Sequence, residues 1–361
     1  MRLLPDAERF KRLVDGSARG PGPAAARLAL AAASLPYAAA VAARNAAYDR
    51  GLLPSFAVDV PVISVGNLTL GGTGKTPLVA WVARLLAEAG RRPAVVSRGY
   101  AAAKGERSDE AAELALVLPG VPHRADRDRV AGARAAAAAG ADAVVLDDGF
   151  QHRRLVRDAD IVAIDATDPF GCGRIFPRGL LREPIRGLAR ASAVVLTRAS
   201  QVDAARRAEI RAAFAAACGG RLPRAWMEAE HRPVALRSAT AGVQPLDRLR
   251  GARVLAIAGI GNPGAFRTTL ASLGCDVADV AVFPDHHPYS TADLGRLADR
   301  AAACGADMAV TTLKDLVKIR RDDLGGRPLV AVEIAMHALA GGDDVAEVVA
   351  AAVRFVGESH A

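Results

Sequence analysis

Short apolar segments alternate with longer helical segments along most of the chain. Five runs rich in β-branched residues lie in the first part, at 61–65, 94–97, 143–146, 160–164 and 193–197. Longer segments rich in alanine, leucine and arginine separate them. Continuous apolar strands between helices are typical of a parallel sheet covered on both faces. We therefore predict an α/β fold for this part of the chain.

The pattern changes after Pro223 and then resumes. Residues 226–237 are more polar and read as a linker or a pair of crossing strands. Four further strands are predicted at 254–259, 275–283, 307–312 and 328–334, followed by a helix over 343–356. We place a boundary near 225–245 and predict two α/β domains, 51–235 and a smaller one over 236–361.

Residues 1–50 differ from both predicted domains. An uncharged stretch of 16 residues, 28–43, is interrupted by Pro36. A spanning helix needs about 20 apolar residues, so we predict no transmembrane span. A cleaved signal peptide also fits poorly, because the apolar run begins late.

Two interpretations of this segment remain. An apolar face with Leu28, Leu35, Tyr37 and Val41 would lie in the headgroup region of an anionic bilayer. Alternatively, the segment forms an ordinary alanine-rich helix packed on the domain that follows.

Composition and net charge limit the kinds of partner that this protein is expected to bind. The 361 residues are 51% hydrophobic, enough for a core in each of two domains. The net charge is +8, and residues 1–50 hold eight basic and four acidic side chains. Because no aromatic–basic platform accompanies the charge, we expect an anionic membrane surface rather than nucleic acid. The four cysteines include no C-x-x-C pair, so we predict neither a zinc site nor a disulfide framework, and the reducing cytoplasm as compartment.

A phosphate-binding loop follows the first predicted strand and precedes a helix that begins near Pro77. Glycines let successive N–H groups point at phosphate oxygens, and a lysine adds a positive charge at the β- and γ-phosphates. The loop consists of Thr69, Leu70, Gly71, Gly72, Thr73, Gly74, Lys75 and Thr76. Thr69 stands where such loops usually have glycine. We predict that the loop binds a nucleotide, the alternative being a glycine-rich turn of structural use.

An acidic pair, Asp147 and Asp148, ends the predicted strand 143–146. A nucleotide-bound Mg²⁺ needs a carboxylate near it, and Thr76 would add a hydroxyl. We therefore predict a magnesium site at Thr76, Asp147 and Asp148. The alternative is that the pair caps a turn at the strand end, and the phosphate loop in the same chain makes this alternative the weaker one.

Three classes of protein use such a loop: small-molecule kinases, switch or partition ATPases, and membrane scaffolds that use nucleotide. Partition ATPases carry lysine where this chain has Leu70. GTPases need N-K-x-D, and the nearest string, at 312–315, has lysine and aspartate adjacent. Neither switch class is favoured, and a membrane-associated switch or partition ATPase is kept as the alternative to a kinase. A kinase needs in addition a base for an acceptor hydroxyl and a cationic clamp on the moving phosphoryl group.

The chain resembles the tetraacyldisaccharide 4'-kinase family of lipid A biosynthesis in a series of motifs. They are GNLTLGGTGKTP (66–77), SRGY (97–100), LDDGFQH (146–152), RGLLREP (178–184), AGIGNPGAF (258–266), FPDHHPY (283–289) and TLKD (312–315). The resemblance implies transfer of the ATP γ-phosphate to the 4'-hydroxyl of an acylated glucosamine disaccharide 1-phosphate. The product would be lipid IVA, made at the cytoplasmic face of the bacterial inner membrane by a peripheral or monotopic enzyme.

The resemblance also implies roles for individual residues. Asp109 corresponds to the catalytic carboxylate, Glu110 to a possible Mg²⁺ ligand, and His286 to the residue that orients Asp109. We expect the two domains to close over ATP and bring His286 to Asp109. Guanidinium groups match phosphate oxygens, which makes three arginines candidates for a phosphate clamp. These are Arg98, Arg178 and Arg182.

Overall fold

The computed structural model describes most of the chain. The described residues are 7–99, 109–240, 242–260, 263–285 and 287–358. Their contacts form two compact units. The first unit contains residues 7–99, 120–231 and 336–358, and the second contains 109–119 and 232–335.

The described strands and helices follow in chain order. The strands are β1 (Val62–Asn67), β2 (Pro93–Ser97), β3 (His123–Ala125), β4 (Ala143–Asp147), β5 (Ala159–Asp165), β6 (Ala193–Thr197), β7 (Ala225–Arg237), β8 (Val243–Gln244), β9 (Arg253–Ala258), β10 (Asp276–Val282), β11 (Met308–Thr312), β12 (Asp323–Leu324) and β13 (Arg327–Ala340). The helices are α1 (Ala7–Val14), α2 (Pro21–Asp49), α3 (Lys75–Glu88), α4 (Asp109–Val117), α5 (Arg129–Ala138), α6 (Ala204–Ala217), α7 (Pro263–Ser272), α8 (Thr291–Ala303), α9 (Leu313–Ile319) and α10 (Gly342–Glu358).

The first unit is built on a parallel sheet. Its strands run in the order β7, β6, β5, β1, β4, β2, β3, and every neighbouring pair is parallel. Strands β1, β2, β4 and β6 are buried along their whole length, because helices cover the sheet. Helices α5 and α6 pack into two separate apolar clusters of this unit. The predicted parallel sheet is confirmed.

The register of this sheet determines where its polar residues meet. Val65 of β1 lies opposite Asp147 of β4 and Ile161 of β5. The carboxyl ends of the three strands therefore lie side by side, at the edge where open α/β sheets bind ligands.

In the second unit, strands β10, β9, β11 and β13 follow one another in parallel. Strand β12 pairs with β13 and β8 with the end of β7, both antiparallel. The region 226–237, for which sequence left open a linker or two strands, is the single strand β7.

The grouping of contacts differs from the predicted succession of segments. Residues 109–119 belong to the second unit because α4 packs against α9. Residues from Met336 onward return to the first unit, where α10 packs on α3. The domain boundary at 235/236 stays a prediction.

Helix α2 is longer than the uncharged stretch suggested. It spans 29 residues and continues through Pro36. One face is tied to the first unit: Tyr37 donates to the carbonyl of Arg182 at 3.0 Å, and Asn45 donates to Glu183 at 3.1 Å. Tyr37 therefore does not share the outward apolar face, contrary to the prediction.

The opposite face of α2 is apolar and exposed. Leu28 and Leu35 are 74% and 72% exposed. Among the described residues, α2 is the one helix that is long and apolar enough to cross a membrane. The prediction of no span rested on the length of the uncharged stretch, and the length of this helix does not support it.

Candidate functional site

The phosphate loop joins β1 to α3 in the first unit. Gly74 has a left-handed φ of +81°, which favours glycine. A Cβ at this position would also lie 2.4 Å from Nε2 of His231. Lys75 is the first residue of α3, so the unpaired N–H groups of the helix start face the loop. Of the eight predicted loop residues, 69–74 are in this connection, and Lys75 and Thr76 begin α3.

Hydrogen bonds hold the start of the loop in an extended form. Asn67 Nδ2 donates to the carbonyl of Thr69 at 2.7 Å and to Thr73 Oγ1 at 3.0 Å. Thr69 forms an antiparallel bridge with Leu181, and the N–H of Leu70 donates to the carbonyl of Leu180 at 2.7 Å. Because Thr69 lies in an extended bridge, this position does not require the glycine that such loops usually carry.

Three charged residues meet at the carboxyl end of β4. Lys75 Nζ lies 3.3 Å from Asp148 Oδ1, and Arg182 Nη1 lies 2.8 Å from the same carboxylate. Burial raises the pKa of Asp148, but the charges of Lys75 and Arg182 outweigh it, and the net shift is downward. Asp148 is therefore ionised at neutral pH, with two cations beside it.

A further arginine, which the sequence did not suggest, lies against this pair. Arg129, at the start of α5, is 7% exposed, and its Nη2 donates to the carbonyl of Asp148 at 3.4 Å. Burial lowers its pKa; the charges of Arg98 and Arg182 lower it further, while Asp148 and Asp147 raise it. Of the three predicted clamp arginines, the structure thus brings Arg182 to Asp148 and places Arg98 close enough to Arg129 for its charge to act there.

Arg178, the third predicted clamp residue, has other contacts. Its Nη1 donates to the carbonyl of Val14 at 2.8 Å, and its backbone N–H donates to Ser34 Oγ at 2.9 Å. These bonds tie the start of the RGLLREP motif to α1 and α2.

Glu183 links several motifs of the first unit. Its side chain is fully buried and accepts hydrogen bonds from Gln151 at 2.9 Å and from Arg190 at 2.7 Å. Gln151 also donates to the carbonyl of Asn67 at 2.9 Å. The LDDGFQH and RGLLREP motifs are therefore fixed to the end of β1 by a buried carboxylate that the sequence analysis did not single out.

The second unit holds Asp109 and Glu110, in the first turn of α4. One helical turn later, burial raises the pKa of Glu113 to about 7, with Lys314 opposing the shift and nearby Glu110, Asp315 and Asp109 adding to it. The acidic residues of α4 thus lie close to α9.

The DHH segment lies in the same unit. Asp285 accepts a hydrogen bond from Lys314 Nζ at 2.7 Å, and His287 lies 3.1 Å from Asp293. His286 itself is outside the described residues. Asp109 and the residues that flank His286 therefore belong to one unit, whereas the sequence placed them in two.

Asp315 is the buried centre of the second unit's motifs. It is fully buried and accepts hydrogen bonds from the N–H of Gly259 and the hydroxyl of Thr312, both at 2.8 Å. Lys318 Nζ lies 3.0 Å away. Burial, followed by the Asp315 charge, strongly raises the pKa of the Tyr289 hydroxyl. The sequence showed the TLKD motif. It did not show that the aspartate of this motif contacts Gly259 of the AGIGNPGAF motif and Tyr289 of the FPDHHPY motif.

Within the part of the chain that the structure describes, no three His, Cys, Asp or Glu side chains form a metal-binding group. Two oxygen-bearing side chains do flank the phosphate loop: Asp147, 7% exposed at the end of β4, and Thr76 in the first turn of α3.

Comparison with known proteins gives consistent matches. The family model described as LpxK, tetraacyldisaccharide-1-P 4'-kinase, matches residues 26–353. A tetraacyldisaccharide 4'-kinase of Anaeromyxobacter sp. (strain Fw109-5) is 43% identical, covering 95% of this chain and 96% of the relative. One from Syntrophus aciditrophicus is 41% identical, covering 91% and 94%. A crystal structure of LpxK from Aquifex aeolicus in complex with ATP superposes with a TM-score of 0.72 at 29% identity, covering 91% and 99%.

Proposed function

Because the chain belongs to the tetraacyldisaccharide-1-P 4'-kinase family, we propose that it transfers the γ-phosphate of ATP to the 4'-hydroxyl of tetraacyldisaccharide 1-phosphate. The product is lipid IVA, an intermediate of lipid A biosynthesis. The observation that carries the proposal is the phosphate loop with Lys75 and Arg182 held at Asp148. A cationic group on a transferred phosphoryl group is what kinase chemistry requires of a protein.

In this mechanism the loop 69–76 binds the triphosphate of ATP. Backbone N–H groups and the start of α3 bind the phosphate oxygens, and Lys75 neutralises charge as the phosphoryl group moves. Arg182 and Arg98 are the proposed phosphate clamp. Support comes from the ion pair of Arg182 with Asp148 and from the charge of Arg98 beside Arg129, which extends the clamp. Arg178 was predicted as a third member, and its contact with Val14 supports a structural role instead.

The donor chemistry at this site fits Mg²⁺. Carboxylate and hydroxyl oxygens are the ligands that Mg²⁺ takes, and it is commonly held by one or two carboxylates together with substrate phosphates. Asp147 and Thr76 would hold the ion, with Asp148 beside them and Glu110 as a further predicted ligand. Bound Mg²⁺ would offset the negative charge of the phosphates.

The acceptor hydroxyl must lose a proton during transfer. We assign this proton to Asp109, with His286 as the residue that orients it. Support comes from Glu113, on which the charges of both Asp109 and Lys314 act, because Lys314 also binds Asp285 next to His286.

Helix α2 provides the proposed membrane contact, at the cytoplasmic face of the inner membrane. Its exposed face presents Leu28 and Leu35, while its other face is bonded to the first unit. Arg27 and Arg44 flank the apolar stretch and suit anionic headgroups. The acyl chains of the substrate would then stay in the bilayer during phosphorylation.

Coupling of ATP turnover to the acceptor tests the proposed function. Purified full-length protein is incubated with ATP and Mg²⁺, with and without tetraacyldisaccharide 1-phosphate in anionic vesicles. A kinase releases ADP at a rate that depends on the acceptor and equals the rate of lipid phosphorylation. Steady ATP hydrolysis that ignores the acceptor would instead support the switch or partition ATPase.

A further inference from the structure

The phosphate loop is held from the side of β6 and β7 as well as from the side of β4. Thr197 is the last residue of β6 and is fully buried. Its hydroxyl lies 2.9 Å from the carbonyl of Thr73 and 3.2 Å from that of Ile164, so its single proton favours the loop. The strand end that carries Thr197 is thereby bonded to the middle of the loop.

Arg198 follows directly and bonds to the preceding loop residue. Its Nη2 donates to the carbonyl of Gly72 at 2.9 Å, and its Nη1 is ion-paired with Asp165 at the end of β5. Asp165 is fixed in turn by the N–H and hydroxyl of Thr167, at 2.9 and 2.7 Å. Arg198 has a left-handed φ of 53°, a conformation that costs a non-glycine residue about 1 kcal/mol. The backbone thus takes an unfavourable shape at the residue that reaches the loop.

His231 makes the third contact, at Gly74. Its imidazole edge occupies the space that a Cβ of Gly74 would need. The ring is uncharged at neutral pH because burial, followed by the charge of Arg198, lowers its pKa to about 4. Three side chains thus contact three consecutive loop residues, 72, 73 and 74.

The tip of the loop is open, because a Cβ on Gly71 or Gly72 would meet nothing within 4 Å. A loop that must be ordered on binding pays conformational entropy, and supports that order it beforehand improve affinity for the ligand.

We propose that Thr197, Arg198 and His231 form a second group of contacts, the loop clamp, which holds the phosphate loop in its nucleotide-binding shape before ATP arrives. They are positioning residues for ATP, and the proposal rests on the kinase function proposed above. Loss of a clamp contact weakens ATP binding and leaves acceptor binding and the chemical step unchanged.

The test compares Thr197→Val, which keeps the shape of the side chain, with Thr197→Ser, which keeps its hydroxyl. MgATP affinity is measured by calorimetry on the full-length protein, and steady-state kinetics are measured with the lipid acceptor. We expect T197V to raise the Kd and KM for ATP about tenfold, the effect of one lost hydrogen bond to a buried carbonyl. The value of kcat and the acceptor KM should stay within about twofold, and T197S should bind ATP like the wild type.

A second variant covers the case in which T197V does not fold. Arg198→Ala removes the bond to Gly72, and Arg206→Ala is its matched control, because Arg206 is exposed on α6 and pairs only with nearby Glu209 in the contacts described. R198A should weaken ATP binding by a similar factor and R206A should not.

Unchanged ATP affinity in a folded T197V or R198A variant, or a loss confined to kcat, would contradict the proposed loop clamp. Failure of the wild type to bind ATP would overturn the proposed function itself, so the two failures are distinguishable.

Discussion

Each unit has an aspartate just beyond a parallel strand, Asp148 after β4 and Asp315 in the first turn of α9 after β11, but the surroundings of the two differ. Asp148 in the first unit is 37% exposed and is bound by two side-chain cations, Lys75 and Arg182. Asp315 in the second unit is fully buried and is bound by a backbone N–H, a hydroxyl and a lysine. Partly exposed cations can exchange a carboxylate for a phosphate, whereas a fully enclosed carboxylate holds its neighbours in place. The surroundings of Asp148 suit phosphate binding, and those of Asp315 suit a role in holding the fold together.

The largest expected effect comes from replacing Lys75, the lysine that pairs with Asp148. Lys75→Ala should lower kcat by about a thousandfold, because it removes a cation from the transferred phosphoryl group. The unfolding midpoint should stay within a few degrees of the wild type, since the Lys75–Asp148 pair is partly exposed. Activity is measured by lipid phosphorylation. Near-normal turnover would contradict the role of the loop.

Asp109→Asn tests the chemical role within the second unit. It should lower kcat by about a hundredfold or more, as expected for loss of a general base, without changing ATP affinity. A mutant with normal turnover would show that a different acid takes the proton. Glu113→Gln, one turn along the same helix, is the matched control and should retain turnover.

Asp315→Asn should act on stability. Removing the charge leaves Lys318, 9% exposed, without its partner, and breaking a buried pair costs about 3 kcal/mol or more. Hydrogen exchange in strands β9 and β11 reports the second unit. The control, Asp148→Asn, should cost less than about 1 kcal/mol because Asp148 is partly exposed. Equal losses in the two variants would remove the distinction between the two aspartates.

The smallest effect is a difference in pH dependence. The folded pKa of His231 is about 4, below its ordinary 6.5, so the unfolded chain binds more protons between these values. The first unit therefore loses stability as pH falls from 6.5 to 4. The pKa of Glu113 is raised from 4.5 to about 7, so this group takes stability from the second unit as pH rises between those values.

Each slope is at most about 1.4 kcal/mol per pH unit. Both tryptophans, Trp81 and Trp226, lie in the first unit, so their fluorescence during denaturation follows that unit. His231→Asn should flatten this fluorescence-detected slope, and Glu113→Gln should flatten the opposite slope seen by hydrogen exchange in β11. Parallel slopes in the two units would contradict the burial assigned to these residues.

The sequence alone predicted the features whose residues are neighbours along the chain. The strand, loop and helix around Lys75 are local in the chain, as are Asp147 and Asp148 at the end of β4, and all were identified. Thr197, Arg198, Arg129 and Asp315 were not, because their partners are far away in sequence and meet only where strand ends line up. Asp315 shows this clearly: its neighbours at 259 and 289 belong to separate motifs.

Helix α2 shows a second limit of the sequence. The sequence shows an apolar stretch that contains Pro36, and proline there predicts an interruption. Pro36 removes one hydrogen bond, and α2 nevertheless continues through it. Which residues face outward depended on contacts such as that of Tyr37 with the carbonyl of Arg182, which no local pattern encodes.

The position of the transferred phosphate tests the central claim most directly. ATP labelled in its γ-phosphate is incubated with the wild-type protein and tetraacyldisaccharide 1-phosphate, and the lipid product is examined by NMR. We predict one label per lipid, on the oxygen at the 4' position, and none with Lys75→Ala. Label released only as inorganic phosphate, or attached at another hydroxyl, would contradict the account.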